Sequence, residues 1–286
     1  MILHPRSRST ALLLAAALTS SAFAQEPAPA DNAKVDLQDK SSLDAEKVKL
    51  DSVPATLPGG IPNAAAPAEV NVPPIAGLEK LTQDQRNKAS KGISDVAGYM
   101  RGVRLQESLE KLNEVEAITG DFHIVSNMRG AVFTKMRDFK AARSEFEKAI
   151  VLTKDQPREN FHPLFNLAEI NFVEKKWAEA TREFNALLAS GKIPDPGTRR
   201  LMEYKVMICA LQQKQIPEAD AMAEKFDQYD NDSPAYYFAK AASCFAREQK
   251  EEAEEWLASA AKIYPKELND VYQDSLVEVG WLQTLQ

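Results

Sequence analysis

Cysteine and histidine are scarce: two and three, respectively, in 286 residues. With Cys209 and Cys244 alone, no disulfide framework can be built, and both fall in segments with helical spacing, so they read as buried free thiols acting as small apolar residues. His4, His123 and His162 leave little material for a metal site. No HExxH, CxxC, GxSxG, Gly-rich phosphate loop or calcium loop occurs, and the expectation is a protein without catalysis, cofactor or metal. Glycine is sparse, at 11 residues, which disfavours a turn-rich β architecture. No charge-free run approaches the ~20 residues that span a bilayer, so no integral membrane segment is expected. Positive charge is also in deficit, with 35 Lys and Arg against 42 Asp and Glu and a formal net charge of −7. No basic cluster exists, and a nucleic-acid backbone is excluded as partner.

The N-terminus carries an address. Arg6 and Arg8 precede the apolar run Ala11 to Leu18, which closes on small residues ending Ala22-Phe23-Ala24. This is the pattern of a secretory signal peptide, residues 1–24, cleaved after Ala24. Position 25 is glutamine, not the cysteine that lipidation needs. A mature chain starting at Gln25 in the periplasm or outside the cell is expected. Losing Arg6 and Arg8 would take the formal charge from −7 to −9.

Residues 25–78 hold eight prolines, Pro27 through Pro74, and no aromatic residue. Such a segment cannot bury enough apolar surface to offset its ordering entropy and is expected to be a disordered, partly extended tether.

Helical spacing begins at residue 81. Thr82 and Gln85 form a capping box, Ile93, Val96, Met100 and Val103 recur on one face, and Leu105, Leu109, Leu112 and Val115 follow before Gly120. Residues 79–122 therefore form an N-terminal cap, as a helical pair or as one long helix bent at Gly98 and Gly102. Beyond it, alanines recur after a turn signal: Ala142 in RDFKAA, Ala180 in KKWAEA, Ala219 in KQIPEA and Ala253 in QKEEA, at separations of 38, 39 and 34 residues. Periods of this size mean a stack of helical hairpins.

These positions resemble the tetratricopeptide repeat, in which small residues sit where paired helices touch. The unit from Pro234 to Pro265 carries Tyr237, Phe238, Phe245 and Trp256 with Ala241, Ala253 and Ala260. Unit one, from His123, supplies Gly130, Phe133, Phe139, Ala142, Phe146 and Ala149; unit two supplies Leu167, Ala168, Trp177, Ala180, Phe184 and Leu187 before a longer GKIPDPG connection. Unit three departs most, with Met207 in place of the small residue and Pro217 opening its second helix.

The resemblance implies an all-α, right-handed solenoid of four hairpins over residues 123–286, with capping helices at both ends. The segment Lys266 to Leu285 suits the C-terminal cap, with Leu268, Tyr272, Leu276, Val279 and Leu282 along one side and Asp270, Gln273, Asp274 and Glu278 along the other. It also implies a groove lined by the first helices. Carried over by position, the groove stripe is Asn127, Ala131 and Thr134; Phe165, Glu169 and Phe172; Tyr204, Ile208 and Leu211; and Phe238, Ala242 and Phe245. Phe165 and Tyr204 are expected on the open side, Phe245 nearer the core. The basic and asparagine clamp by which some relatives hold a terminal carboxylate is missing.

An apolar groove of this kind suits an amphipathic helix or a hydrophobic extended segment of a protein partner. The implied function is an interaction scaffold or adaptor of the cell envelope; the alternative is a chaperone-like carrier or an accessory subunit of an envelope enzyme or secretion system. Deleting the Pro-rich zone should change unfolding free energy by less than about 0.5 kcal/mol in a urea melt, because no packed feature is touched.

Overall fold

A computed structural model describes residues 78, 80–155 and 160–283 of the chain. The leader and residues 25–77 of the expected tether lie outside the described residues. Leu78, by contrast, is buried, and its carbonyl accepts from the Leu81 amide. The deletion that leaves every described residue in place therefore ends at residue 77.

The described residues form eleven helices and no strand. They are α1 (Gln83–Arg101), α2 (Leu105–Thr119), α3 (His123–Met136), α4 (Phe139–Leu152), α5 (Phe161–Val173), α6 (Trp177–Ala189), α7 (Pro196–Gln212), α8 (Ile216–Ala223), α9 (Ala235–Ala246), α10 (Lys250–Ile263) and α11 (Lys266–Glu278). Consecutive helices pair into hairpins and consecutive hairpins pack on one another, the tetratricopeptide-like stack that the recurring alanines imply. Local sequence begins several helices. Thr82 and Gln85 close the capping box of α1, Asp138 caps α4, and Asp195 caps α7 with Pro196 just inside.

Each hairpin turns in the same way. One residue adopts positive φ: Arg137 at 64°, Lys175 at 62°, Lys214 at 63° and Glu248 at 64°. The next amide reaches back five residues, Asp138 to Phe133 at 2.9 Å, Lys176 to Asn171 at 2.8 Å, Gln215 to Ala210 at 2.9 Å and Gln249 to Cys244 at 3.0 Å. This is the Schellman closure of a helix C-terminus, made here without glycine. Five residues after each positive-φ residue comes the recurring alanine, and Ala142, Ala180, Ala219 and Ala253 are all 0% exposed. No larger side chain fits where the two helices approach.

The N-terminal pair obeys the same rule. Val103 has φ 58°, the Arg104 amide bonds the Tyr99 carbonyl at 2.8 Å, and Ser108, five residues on, is 0% exposed. The cap is thus a hairpin of the same design, with serine standing in for alanine. Its hydroxyl donates to the Arg104 carbonyl at 2.9 Å, which satisfies a polar group at the crossing. Gly130 has a related task, because a Cβ there would lie 2.5 Å from the Phe146 ring on α4.

Two apolar cores run along the stack. One joins Leu78 and helices α1 to α4, with Ile170 from α5; the other joins α5 to α11. Between them runs a polar seam: Asn166 donates to Asn127 at 3.0 Å, and Arg143 donates to Asn171 and Glu174, both at 2.6 Å. Cys209 and Cys244 are buried and unbonded, and burial pushes the Cys209 thiol up to about 12, so it stays protonated at neutral pH.

Enlarging the crossing residues should overpack the hairpins. Ala142→Leu, Ala253→Leu and Ser108→Leu should each lower unfolding free energy by roughly 1 to 3 kcal/mol in urea titration. Ser108→Ala should cost under about 1.5 kcal/mol, the net worth of one hydrogen bond. A tolerated Ser108→Leu would show that the N-terminal pair does not share the repeat geometry.

Candidate functional site

The face lined by the first helices α3, α5, α7 and α9 is the place where a partner is expected, and the structure fills it with the chain's own C-terminal helix. Tyr272 of α11 lies with its ring 5.2 Å from that of Tyr204 on α7 and 5.6 Å from that of Phe238 on α9. Its hydroxyl pairs with Ser233 at 2.8 Å. Ser275 accepts from the Lys205 ammonium at 3.0 Å, and Leu276 is completely buried. Just past the helix, Trp281 stacks on Phe245 at 6.1 Å and 17°. At the far end Glu278, its side chain 6% exposed, takes both carboxylate oxygens to Arg137 at 3.1 Å, 141 positions away in sequence. The helix thus crosses from the last hairpin to the turn of unit one.

All twelve residues of the groove stripe are buried, some beneath α11 and others within the stack itself. Asn127 pairs with Asn166 between first helices. Phe165 lies against Phe161 and meets Phe184 edge-on at 5.8 Å, so it belongs to the interior of its own hairpin. Phe172 meets Trp177 in the same way at 5.5 Å. Ala131, Thr134, Glu169, Tyr204, Ile208, Leu211, Phe238, Ala242 and Phe245 complete the set, with Tyr204 and Ile208 at 0% exposure. The expected ordering, Phe165 and Tyr204 open and Phe245 closed, is therefore corrected: Phe165 packs against its own second helix, and α11 covers Tyr204. Glu278, expected to point away, is the residue that ties α11 to unit one. The helix covers the last unit, as a cap should, and extends well beyond it.

A charge pair enclosed in this face joins Lys205 and Glu169 at 3.0 Å, with side chains 5% and 10% exposed. Lys205 Nζ also sits 4.7 Å from the centre of the Phe172 ring. Burial pushes the Glu169 carboxyl above its ordinary value, against the pull of the Lys205 ammonium. Lys205, Arg137, Ser275 and Trp281 were not singled out by position in the repeat. The available signal was a charge within a largely apolar run, Glu169 in LAEINFV and Lys205 in YKVMICAL, 36 residues apart.

Elsewhere, a cleft of about 450 Å³ opens between α4, α5 and α6 beside the polar seam, lined by Phe161, Leu164, Leu167 and Leu187 with Arg143 and Lys192 at its rim. The acidic loop before α9 spends its carboxylates on itself: Tyr229 and Asp232 amides donate to Asp227 and Asp230, both at 2.9 Å, and Asp230 also pairs with Arg200. Among the described residues no cluster of three or more His, Cys, Asp or Glu could hold a metal ion, and no helix is long and apolar enough to cross a membrane.

The buried pair yields a double-mutant expectation. Lys205→Met strands the Glu169 carboxylate and should cost about 3 to 5 kcal/mol, whereas adding Glu169→Leu should restore most of that loss. Tyr204→Ala and Phe238→Ala should each cost about 3 to 5 kcal/mol through lost burial and a residual cavity. Urea midpoints for the four variants check both statements; a loss of only about 0.5 kcal/mol in the alanine variants would mean that the face is open in solution.

No family model matches this chain, and no curated protein is similar to it. Among solved structures it is similar to PilF of Pseudomonas aeruginosa, from a functional characterization of that protein, at a TM-score of 0.50 and 16% identity. The likeness covers 70% of this chain and 90% of the PilF chain. At that identity the likeness concerns the fold, and it places the described chain among tetratricopeptide-like stacks of helical hairpins.

Proposed function

We propose that the protein is an exported interaction scaffold of the bacterial cell envelope, which holds a partner protein through the face formed by its first helices. A tetratricopeptide-like stack supports protein binding in general, and one observation points to the kind of segment held: the face seats an amphipathic helix, α11, with Tyr272 between Tyr204 and Phe238. Helix-in-groove recognition uses apolar anchors at helical spacing, and Tyr272, Leu276 and Val279 supply that spacing. The signal-peptide pattern of residues 1–24 supports export, and the Pro-rich segment that follows would act as a spacer between the stack and wherever its N-terminus is held.

Affinity purification of the tagged full chain from native envelope extracts is expected to bring down one partner in stoichiometric amount. The mature N-terminus read by mass spectrometry should be Gln25. A heterogeneous set of exported chains in place of one partner would favour the carrier reading, and an uncleaved leader in the envelope-free fraction would remove the envelope from the proposal.

A further inference from the structure

Leu164 lines the cleft between α4, α5 and α6 and is 39% exposed, and Val151, one turn past Glu147 on α4, is 68% exposed. Repeat register shows that this exposure belongs to the junction of units one and two and not to the fold in general. Counted from the left-handed residue of each hairpin, Leu164 corresponds to Ser126, Glu203 and Tyr237. Ser126 is completely buried, Glu203 is a carboxylate beside Arg199, and Tyr237 packs against Trp256 and Tyr264. Val151 corresponds in the same way to Ala189, Gln228 and Lys262, all exposed and none a large apolar residue. Only at the first junction are both positions apolar and open. The charges around them differ in their partners. Arg143 donates to Asn171 and Glu174, both at 2.6 Å, and Glu183 accepts from Asn171 at 2.7 Å. Glu147 on the α4 wall and Lys192 just past α6 line the same cleft, and neither pairs with a charge among the described residues.

We infer that this cleft is a self-association surface, and that its occupant is a second copy of the chain related by a two-fold axis. An isologous contact requires a surface that is its own complement. An unpaired acid on one wall and an unpaired base on the other meet that requirement, because a half-turn sets Glu147 of each copy against Lys192 of the other. The same rotation brings the α4 edge of each copy into the cleft of the other, so that Val151 covers Leu164 and Leu167 reciprocally. A lining of one sign would repel its own copy and call for a different protein. The formal net charge of −7 sharpens that distinction, since two like-charged molecules meet most readily where the local charge is balanced. A cleft of about 450 Å³ with two apolar anchors makes a small contact, so the dimer is reversible and not obligate. The inference goes beyond the scaffold reading and does not depend on it: no residue of α11 lines the cleft.

The test is sedimentation equilibrium of the full chain over about a hundredfold range of micromolar concentrations, where a small reversible contact is expected to show a monomer-dimer equilibrium. Glu147→Lys and Lys192→Glu should each weaken the dimer by at least about tenfold, because each sets like charges together across the axis. The double variant restores opposite charges and should return to within about threefold of the wild-type constant. Leu164→Asp should leave only monomer, with circular dichroism and urea midpoints checking that every variant is folded. Should Leu164→Asp fail to fold, the charge-reversal series decides by itself. A monomer at every concentration overturns the proposal, and so does association that continues beyond a dimer, because a two-fold contact closes on itself. Single reversals that leave the dimer intact, or a double variant that does not recover it, would put any self-association on another surface and overturn the proposal equally. None of these outcomes bears on the scaffold reading, which stands or falls with the purified partner.

Discussion

The distance between the two helices of each hairpin is the constraint on which the rest of the molecule depends. At Ser108, Ala142, Ala180, Ala219 and Ala253 nothing of the side chain reaches solvent, and the backbones close around a methyl or hydroxymethyl group. That closeness brings Phe146 and Phe184 under the first helices, lets Gly130 accept the Phe146 ring, and fixes the angle at which the next hairpin can stack. The turn holds the closeness in place. A left-handed residue and a five-residue backbone bond precede every crossing, so the second helix always begins at the same azimuth relative to the first.

Regular stacking has a cost that the chain meets at its C-terminus. A stack of hairpins presents a continuous face of first helices, and in this molecule the later part of that face is aromatic: Tyr204, Phe238 and Phe245. Left open, such a patch would be an association site or an aggregation hazard. α11 covers it, and in doing so links the two apolar cores, because Arg137 belongs to the N-terminal half while Tyr272 belongs to the other. The polar seam through Asn127, Asn166, Arg143 and Asn171 lies between the two apolar cores, and α11 crosses it with its Glu278 contact.

Two of the chain's buried charges, Lys205 and Glu169, face one another inside the stack, and burial raises the pKa of both thiols. The cleft beside Phe161 and Leu164 is mainly apolar, with Arg143, which pairs with Glu174, at its rim.

Much of the fold was legible because its rules are local. The period of the alanines, the capping box at Thr82 and Gln85, Pro217 inside the start of α8 and the apolar faces all depend on neighbours within a few residues, which a sequence displays directly. The N-terminal hairpin escaped recognition as a repeat because serine at 108 performs alanine's task by bonding its own backbone, and composition does not show that. The candidate site was legible only as a stripe of positions. Repeat register placed Tyr204, Phe238 and Phe245 on the first-helix face, yet whether such a face is open depends on where a helix 34 to 141 residues away comes to rest. The sequence by itself determined that α11 would form and which of its sides was apolar. Only the tertiary structure decided that this side lies across the groove, because the choice is made by contacts between Tyr272 and two rings, Ser275 and Lys205, and Glu278 and Arg137, none of which is near in sequence.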